Sequence, residues 1–212
     1  MSFSKQIFWV FIFAIAFAFV EASVVVYLRL LYYPAGFQFP LKFTSDFPLI
    51  VEVAREVSTI AMLGAAGVIA GTTRWSRFAY FAIVFGVWDI FYYVWLKVVL
   101  GWPASLLEWD VLFLIPVPWI GPVVAPVLIS LMLILAGWLI LQTEQRGGTF
   151  KPGKRAWVLS ILGSAIILFS FTYDLDATLR FQMPMPYRYE LLGLGMILYG
   201  FALASAVKIK SL

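Results

Sequence analysis

The sequence predicts an all-α fold: a polytopic integral membrane helix bundle of about six transmembrane helices, with a proline-rich irregular segment before the fourth. Three observations carry this. Of 212 residues, 63% are hydrophobic and 12% charged, where soluble domains run near a quarter charged. Mean hydropathy is +0.97. Several apolar stretches also approach or exceed the roughly 20 residues that cross a bilayer. A soluble core helix could mimic one such stretch, but not five or six in a row.

The chain reads as a single membrane domain over residues 1–212. Its start fits a secretory signal, with Lys5, the run IFWVFIFAIAFAFV and small residues near Ala22. The apolar run continues through SVVVYL, however, so residues 8–33 are expected to form the first span. The second span is expected over 47–71 and the third over 77–100. Region 110–142 is too long for one plain helix and contains Pro116, Pro118, Pro122 and Pro126. Proline removes a backbone donor and breaks or kinks a helix. WDVLFLIPVPWIG is therefore expected to be irregular or half-helical near the membrane face, with the fourth span over 122–142. The linker 143–155 precedes a fifth span over 156–173, and a sixth covers 190–207. No internal repeat is evident, so sequence symmetry lends no support to an inverted-repeat transporter.

Six spans place the N-terminus, the 72–77 loop, the 143–155 loop and the C-terminus on one side. Lys5, Arg74, Arg77, Arg146, Lys151, Lys154, Arg155, Lys208 and Lys210 fall there, nine residues in all. The other side holds five: Arg29, Lys42, Lys97, Arg180 and Arg188. The excess predicts a multi-pass protein of the cell (inner) membrane with both termini cytoplasmic. The formal charge of +4 thus reports topology, and no nucleic-acid partner is inferred from it.

The chain contains no His, Cys or Asn. That excludes His- or Cys-ligated haem, iron–sulfur clusters, thiol redox chemistry and the usual zinc sites. Chemistry by the chain itself must use carboxylates, Arg, Lys, Tyr, Trp, Ser or Thr. No cofactor and no metal site is implied.

Against this apolar background, VEVAREVSTIAMLGAAGVIAG (51–71) places Glu52, Arg55 and Glu56 inside a membrane helix. Glu21 and Asp89 join them from the first and third spans. At 1.5 Å rise per residue, the five groups lie roughly 18–28 Å from the cytoplasmic ends of their helices, in the outer half of the bilayer. A lone charge in hydrocarbon costs several kcal/mol, so such groups face a bundle interior or water and pair with one another. Residues 52, 56 and 59 share a helix face. Arg55 is expected to point to Glu21 or Asp89 on a neighbouring helix, leaving Glu56 in apolar surroundings. The second span, with Gly64, Gly67 and Gly71, is expected to sit centrally. Gly193, Gly195 and Gly200 put similar small residues on the sixth.

On the third span Asp89, Tyr93 and Lys97 follow at four-residue spacing, beside Trp88, Tyr92 and Trp95. Lys97 can snorkel to the interface, and the aromatics can equally be interface anchors. The outer loops carry Trp109, Asp110, Asp174, Asp176 and Arg188, which read first as solvated loop charge. YDLDATLR has only the outline of a cation loop. PVPWIGPVVAP reads equally as a cap over an outward cavity or as a helix start.

The expected site is an outward-facing polar pocket for a small apolar or amphipathic ligand such as a lipid, isoprenoid or quinone. Glu56, Asp89 and Glu21 are the candidate catalytic groups, since acid–base work needs carboxyls with separated pKa values. Arg55, Glu52, Trp88, Tyr92, Tyr93, Trp95, Lys97, Trp109 and Asp110 are the candidate binding residues. If the protein is an enzyme, isomerase or cyclase chemistry without a cofactor fits these parts. The alternatives are a non-catalytic subunit gripping partner subunits or membrane lipids, buried ion pairs that merely pin the helices, and a proton- or cation-coupled transporter.

Overall fold

The computed structural model describes residues 2–39, 46–180 and 182–206. The expected Lys42, Lys208 and Lys210 lie outside the described residues. Helices α1 (Phe3–Tyr32), α2 (Asp46–Ala70) and α3 (Arg74–Leu100) come first, then a β-hairpin of β1 (Trp109–Phe113) and β2 (Trp119–Pro122). Helices α4 (Val124–Gln145), α5 (Lys154–Thr172), the short α6 (Leu175–Leu179) and α7 (Tyr189–Ala206) follow. Six of these helices are long and apolar enough to cross a membrane. Leu31, Ile69, Val98, Ile161 and Ile197 are exposed on them. A helix apolar on its outer faces as well as its inner ones needs lipid around it. The chain is therefore a multi-pass membrane helix bundle.

The second span was expected to be central, but α3 takes that place. It packs against α1, α2 and α4, because Ala79, Ala82 and Gly86 let three helices approach one face after another. A Cβ placed on Gly86 would lie 2.6 Å from Ser130 O of α4, and one on Gly137 would lie 2.6 Å from Ala79 O. No side chain fits at either position. On α2, Gly67 and Gly71 meet the first turns of α3 in the same way, while Gly64 meets nothing. Helices α5 and α7 form a separate pair about Gly163 and Gly195, tied by a Ser164–Tyr199 hydroxyl bond of 2.7 Å. Of the predicted small residues on α7, Gly193 and Gly200 meet nothing. The pair joins the rest mainly through β2 and one edge of α4.

The segment WDVLFLIPVPWIG was expected to be irregular or half-helical; it forms the antiparallel hairpin. Asp110 faces Gly121, Val111 faces Ile120, and a register irregularity falls between Val111 and Phe113. Its flanks are aromatic and β-branched, which favours strand. Pro116 and Pro118 fall in the connecting loop, where missing donors cost no ladder bonds. Pro126 sits in the first turn of α4, where its missing N–H is also tolerated.

The helices alternate in direction. Gln6 of α1 donates to Ala70 O at the end of α2. Thr73 caps α3 with Ser76 and donates to Glu144 near the end of α4 at 2.6 Å. The basic segments around Lys5, Arg74–Arg77 and Arg146–Arg155 therefore share one end of the bundle, and the hairpin lies at the other.

Candidate functional site

At the hairpin end, α1, α2 and α3 diverge around a cavity of about 180 Å³ that the hairpin roofs. Helices α1 and α2 barely touch each other, so the cavity occupies the gap between them. Five of the chain's 11 acidic residues line it: Glu21, Glu52, Glu56, Asp89 and Asp110. Two guanidiniums, Arg29 and Arg55, accompany them. Trp88, Tyr92, Tyr93, Phe37 and Phe113 supply aromatic wall.

Arg55 holds two acids at once. It bonds Glu52 one turn away at 2.6 Å and forms an ion pair with Glu21 of α1. The expectation that Arg55 turns from its own helix to a neighbour captures only half of this, because a guanidinium has donors on both sides of its fork. Glu21 also accepts from Thr59 at 3.0 Å, a bond that joins α1 to α2.

Asp89 pairs with neither arginine. It accepts from Ser130 of α4 at 2.8 Å, beside the Gly86 contact. Glu56 accepts from Leu114 N at 2.8 Å, so an α2 carboxyl grips the hairpin loop. These two carboxyls share the cavity but have different donors, one a hydroxyl and the other a backbone amide.

Asp110, expected among solvated loop charge, is 2% exposed. It is bonded to Arg29 at 2.9 Å. The Arg29 guanidinium lies 3.7 Å from the Trp102 ring centre and 4.2 Å from that of Phe37. Burial pushes the Asp110 carboxyl up to about 6, against the opposing pull of Arg29, the Val111 amide and the Tyr93 phenol. Desolvation outweighs the ion pair here, as is usual where two charges leave water together.

Three predicted residues lie outside the cavity lining. Trp95 faces α1, donating to Ile15 O at 3.0 Å and packing on Phe19. Lys97 folds back over the C-terminus of α3 and donates to Gly101 O at 3.0 Å and Pro103 O at 2.7 Å. Trp109 packs on Tyr187 in the smaller core between the hairpin and the α5/α7 pair. The acid–phenol–ammonium ladder thus ends at Tyr93, because free carbonyls past the helix end are nearer for Lys97 than the cavity is.

Arg29 and Ser130 were not anticipated as site residues. Arg29 had a legible signal, since Glu21, Val25 and Arg29 follow at four-residue spacing on one face of α1. The signal for Ser130 was weaker, a lone hydroxyl in the apolar run PVLISLMLIL.

In the 174–180 segment, Asp176 pairs with Arg180 at 3.0 Å in exposed surroundings, and Asp174 accepts from Met185 N at 2.6 Å. Among the described residues no group of acidic side chains is arranged to hold a metal ion. No known protein family, characterised protein or solved structure matches the chain.

Proposed function

We propose that this membrane protein binds a small amphipathic molecule in the cavity between α1, α2 and α3, with the hairpin as its roof. The observation that carries the reading is the cavity itself: an apolar membrane bundle keeps open about 180 Å³ lined by five carboxyls, two guanidiniums and several aromatic rings. Arg55 and Arg29 close on Glu21, Glu52 and Asp110 as structural pairs would, but Glu56 and Asp89 face the same cavity with only uncharged donors, and ionisable groups inside a membrane bundle commonly mark a ligand or ion site. The volume is below the roughly 300–1,000 Å³ of pockets that enclose a drug-sized ligand. The enclosed part of the ligand is therefore headgroup-sized, and its apolar remainder lies along the seam between α1 and α2. The excess of basic residues at the opposite end supports an orientation with the cavity on the outer face of the cell membrane and the termini inside.

A second reading adds catalysis to the same site. Glu56 and Asp89 have no basic partner and different hydrogen-bond donors. They are thus the pair suited to separate acid and base roles, as an isomerase or cyclase requires. Arg55, Glu21 and Glu52 are then the frame that holds α1 to α2.

Native mass spectrometry of the gently solubilised protein tests the binding reading. A bound small molecule should be present in the wild type and absent from Val25→Trp, which fills the cavity from α1. A bare chain, or a molecule that Val25→Trp retains, refutes it. A stable partner polypeptide without a small molecule would make the accessory-subunit reading the working one. If a ligand is found, its conversion by the wild type and not by Glu56→Gln would establish the enzyme.

A further inference from the structure

From the charge inventory of the cavity we infer that its ligand carries a positive charge and that loading expels protons. This rests on the ligand-binding reading above and adds the chemical class of the ligand.

Five carboxyls face two guanidiniums in the cavity, and no lysine lines it. On α1, Glu21 is matched by Arg55, and Arg29 is matched by Asp110 of β1. On α2, Glu52 shares Arg55. Glu56 and Asp89 remain, each bonded only to an uncharged donor. The other titratable groups at the wall are phenols: Tyr32 of α1, Tyr33 after it, and Tyr92 and Tyr93 of α3. Phenols add no positive charge. A surplus of acid in a largely apolar enclosure is not left ionised; it is neutralised by protons or by a cation. Glu21 and Glu52 have only Arg55 between them, so a neutral empty cavity holds three protons: one on Glu56, one on Asp89 and one shared by Glu21 and Glu52. A cationic group that enters lets one carboxylic acid ionise for each positive charge, and that proton passes to water. Charge balances in both states.

Two further observations point to an organic cation. Aromatic faces attract cations, and the cavity wall combines Trp88, Tyr92, Tyr93 and Phe37. The chain already uses this chemistry where Arg29 lies over Phe37 and Trp102. Independently, Trp88 is 5% exposed and its indole N–H has no hydrogen-bond partner among the described residues. A buried donor left unmade costs about 1–3 kcal/mol, and an oxygen on the ligand would satisfy it. The ligand class is an amphiphile with an ammonium group and a nearby hydroxyl or carbonyl oxygen.

The test is calorimetric titration of the protein in nanodiscs of zwitterionic lipid with hexyltrimethylammonium, hexyl sulfate and hexanol. Each runs at pH 7 in phosphate and in Tris, whose ionisation enthalpies differ. Hexyltrimethylammonium should bind one site with net proton release. Glu56→Gln and Asp89→Asn should each weaken it tenfold or more and reduce the release. Both amides keep an acceptor for Leu114 N and Ser130, so the fold is retained. Binding of hexyl sulfate or hexanol as tightly as the cation, abolished by Val25→Trp, would overturn the charge assignment and leave the pocket standing. Cation binding with no proton release would overturn the exchange. No binding of any probe would remove both the inference and the reading beneath it.

Discussion

Breaking the Arg29–Asp110 pair one partner at a time should cost far more than removing it whole. The two groups are 7% and 2% exposed and bonded at 2.9 Å. Asp110→Asn leaves a guanidinium buried between two rings without a counter-charge. Arg29→Met leaves a carboxyl buried with only the Tyr93 phenol and the Val111 amide beside it. Removing one partner of a buried pair typically costs about 3–5 kcal/mol. Losing the stacking on Trp102 and Phe37 should add roughly 0.5–2 kcal/mol for Arg29→Met. The double variant carries no charge in this place and should recover much of the loss, since buried pairs replaced by neutral groups are often nearly neutral. The assay is unfolding of the four proteins in one detergent, followed by tryptophan fluorescence. A coupling of about 1–3 kcal/mol between the two sites is expected. Additive losses, with coupling below about 0.5 kcal/mol, would refute the view that the hairpin is held over the cavity by a desolvated ion pair.

The remaining predictions use the same contacts. Gly86→Ala should destabilise by about 1–3 kcal/mol, since its Cβ meets the Ser130 carbonyl, a backbone atom that cannot swing away; a neutral result in thermal unfolding would mean the α3/α4 seam is looser than described. Glu56→Ala should cost about 1–3 kcal/mol by orphaning Leu114 N, whereas Glu56→Gln should stay within about 0.5 kcal/mol because its amide oxygen still accepts; equal losses would show that the bond does not hold the hairpin. The chain has no cysteine, so single Ser2→Cys and Ser105→Cys variants report topology directly. Membrane-impermeant maleimide added to whole cells should label the second and spare the first, and the reverse pattern would invert the assigned orientation.

The membrane fold was legible because it follows from one-dimensional quantities. Apolar runs of bilayer length must become helices, since lipid offers no partner for an unpaired backbone group. Helical rise alone predicts that Glu21, Glu52, Arg55, Glu56 and Asp89 lie toward the same end of their helices, where they line one cavity, and their gathering follows from the cost of leaving any of them in lipid. Partner choice was not legible. Arg55 takes both Glu21 and Glu52, while Asp89 turns to Ser130; which partner wins depends on helix rotation and crossing. Those are set by small residues meeting backbone across α3 and α4, and they make α3 central where α2 was expected. Trp95, Lys97 and Trp109 share the neighbourhood by sequence and leave it by direction, each drawn to a nearer carbonyl or ring. The hairpin was hidden because prolines mark where a helix cannot run without saying what replaces it. Pairing of Asp110 with Arg29, 81 positions earlier in the chain, is a long-range contact that no local pattern encodes. The sequence alone determined that the chain is a membrane helix bundle of about six passes, with its intramembrane acids toward one end of the helices. Only the tertiary structure decided that five acids and two arginines enclose a space and that a β-hairpin roofs it, because enclosure is a property of surfaces brought together.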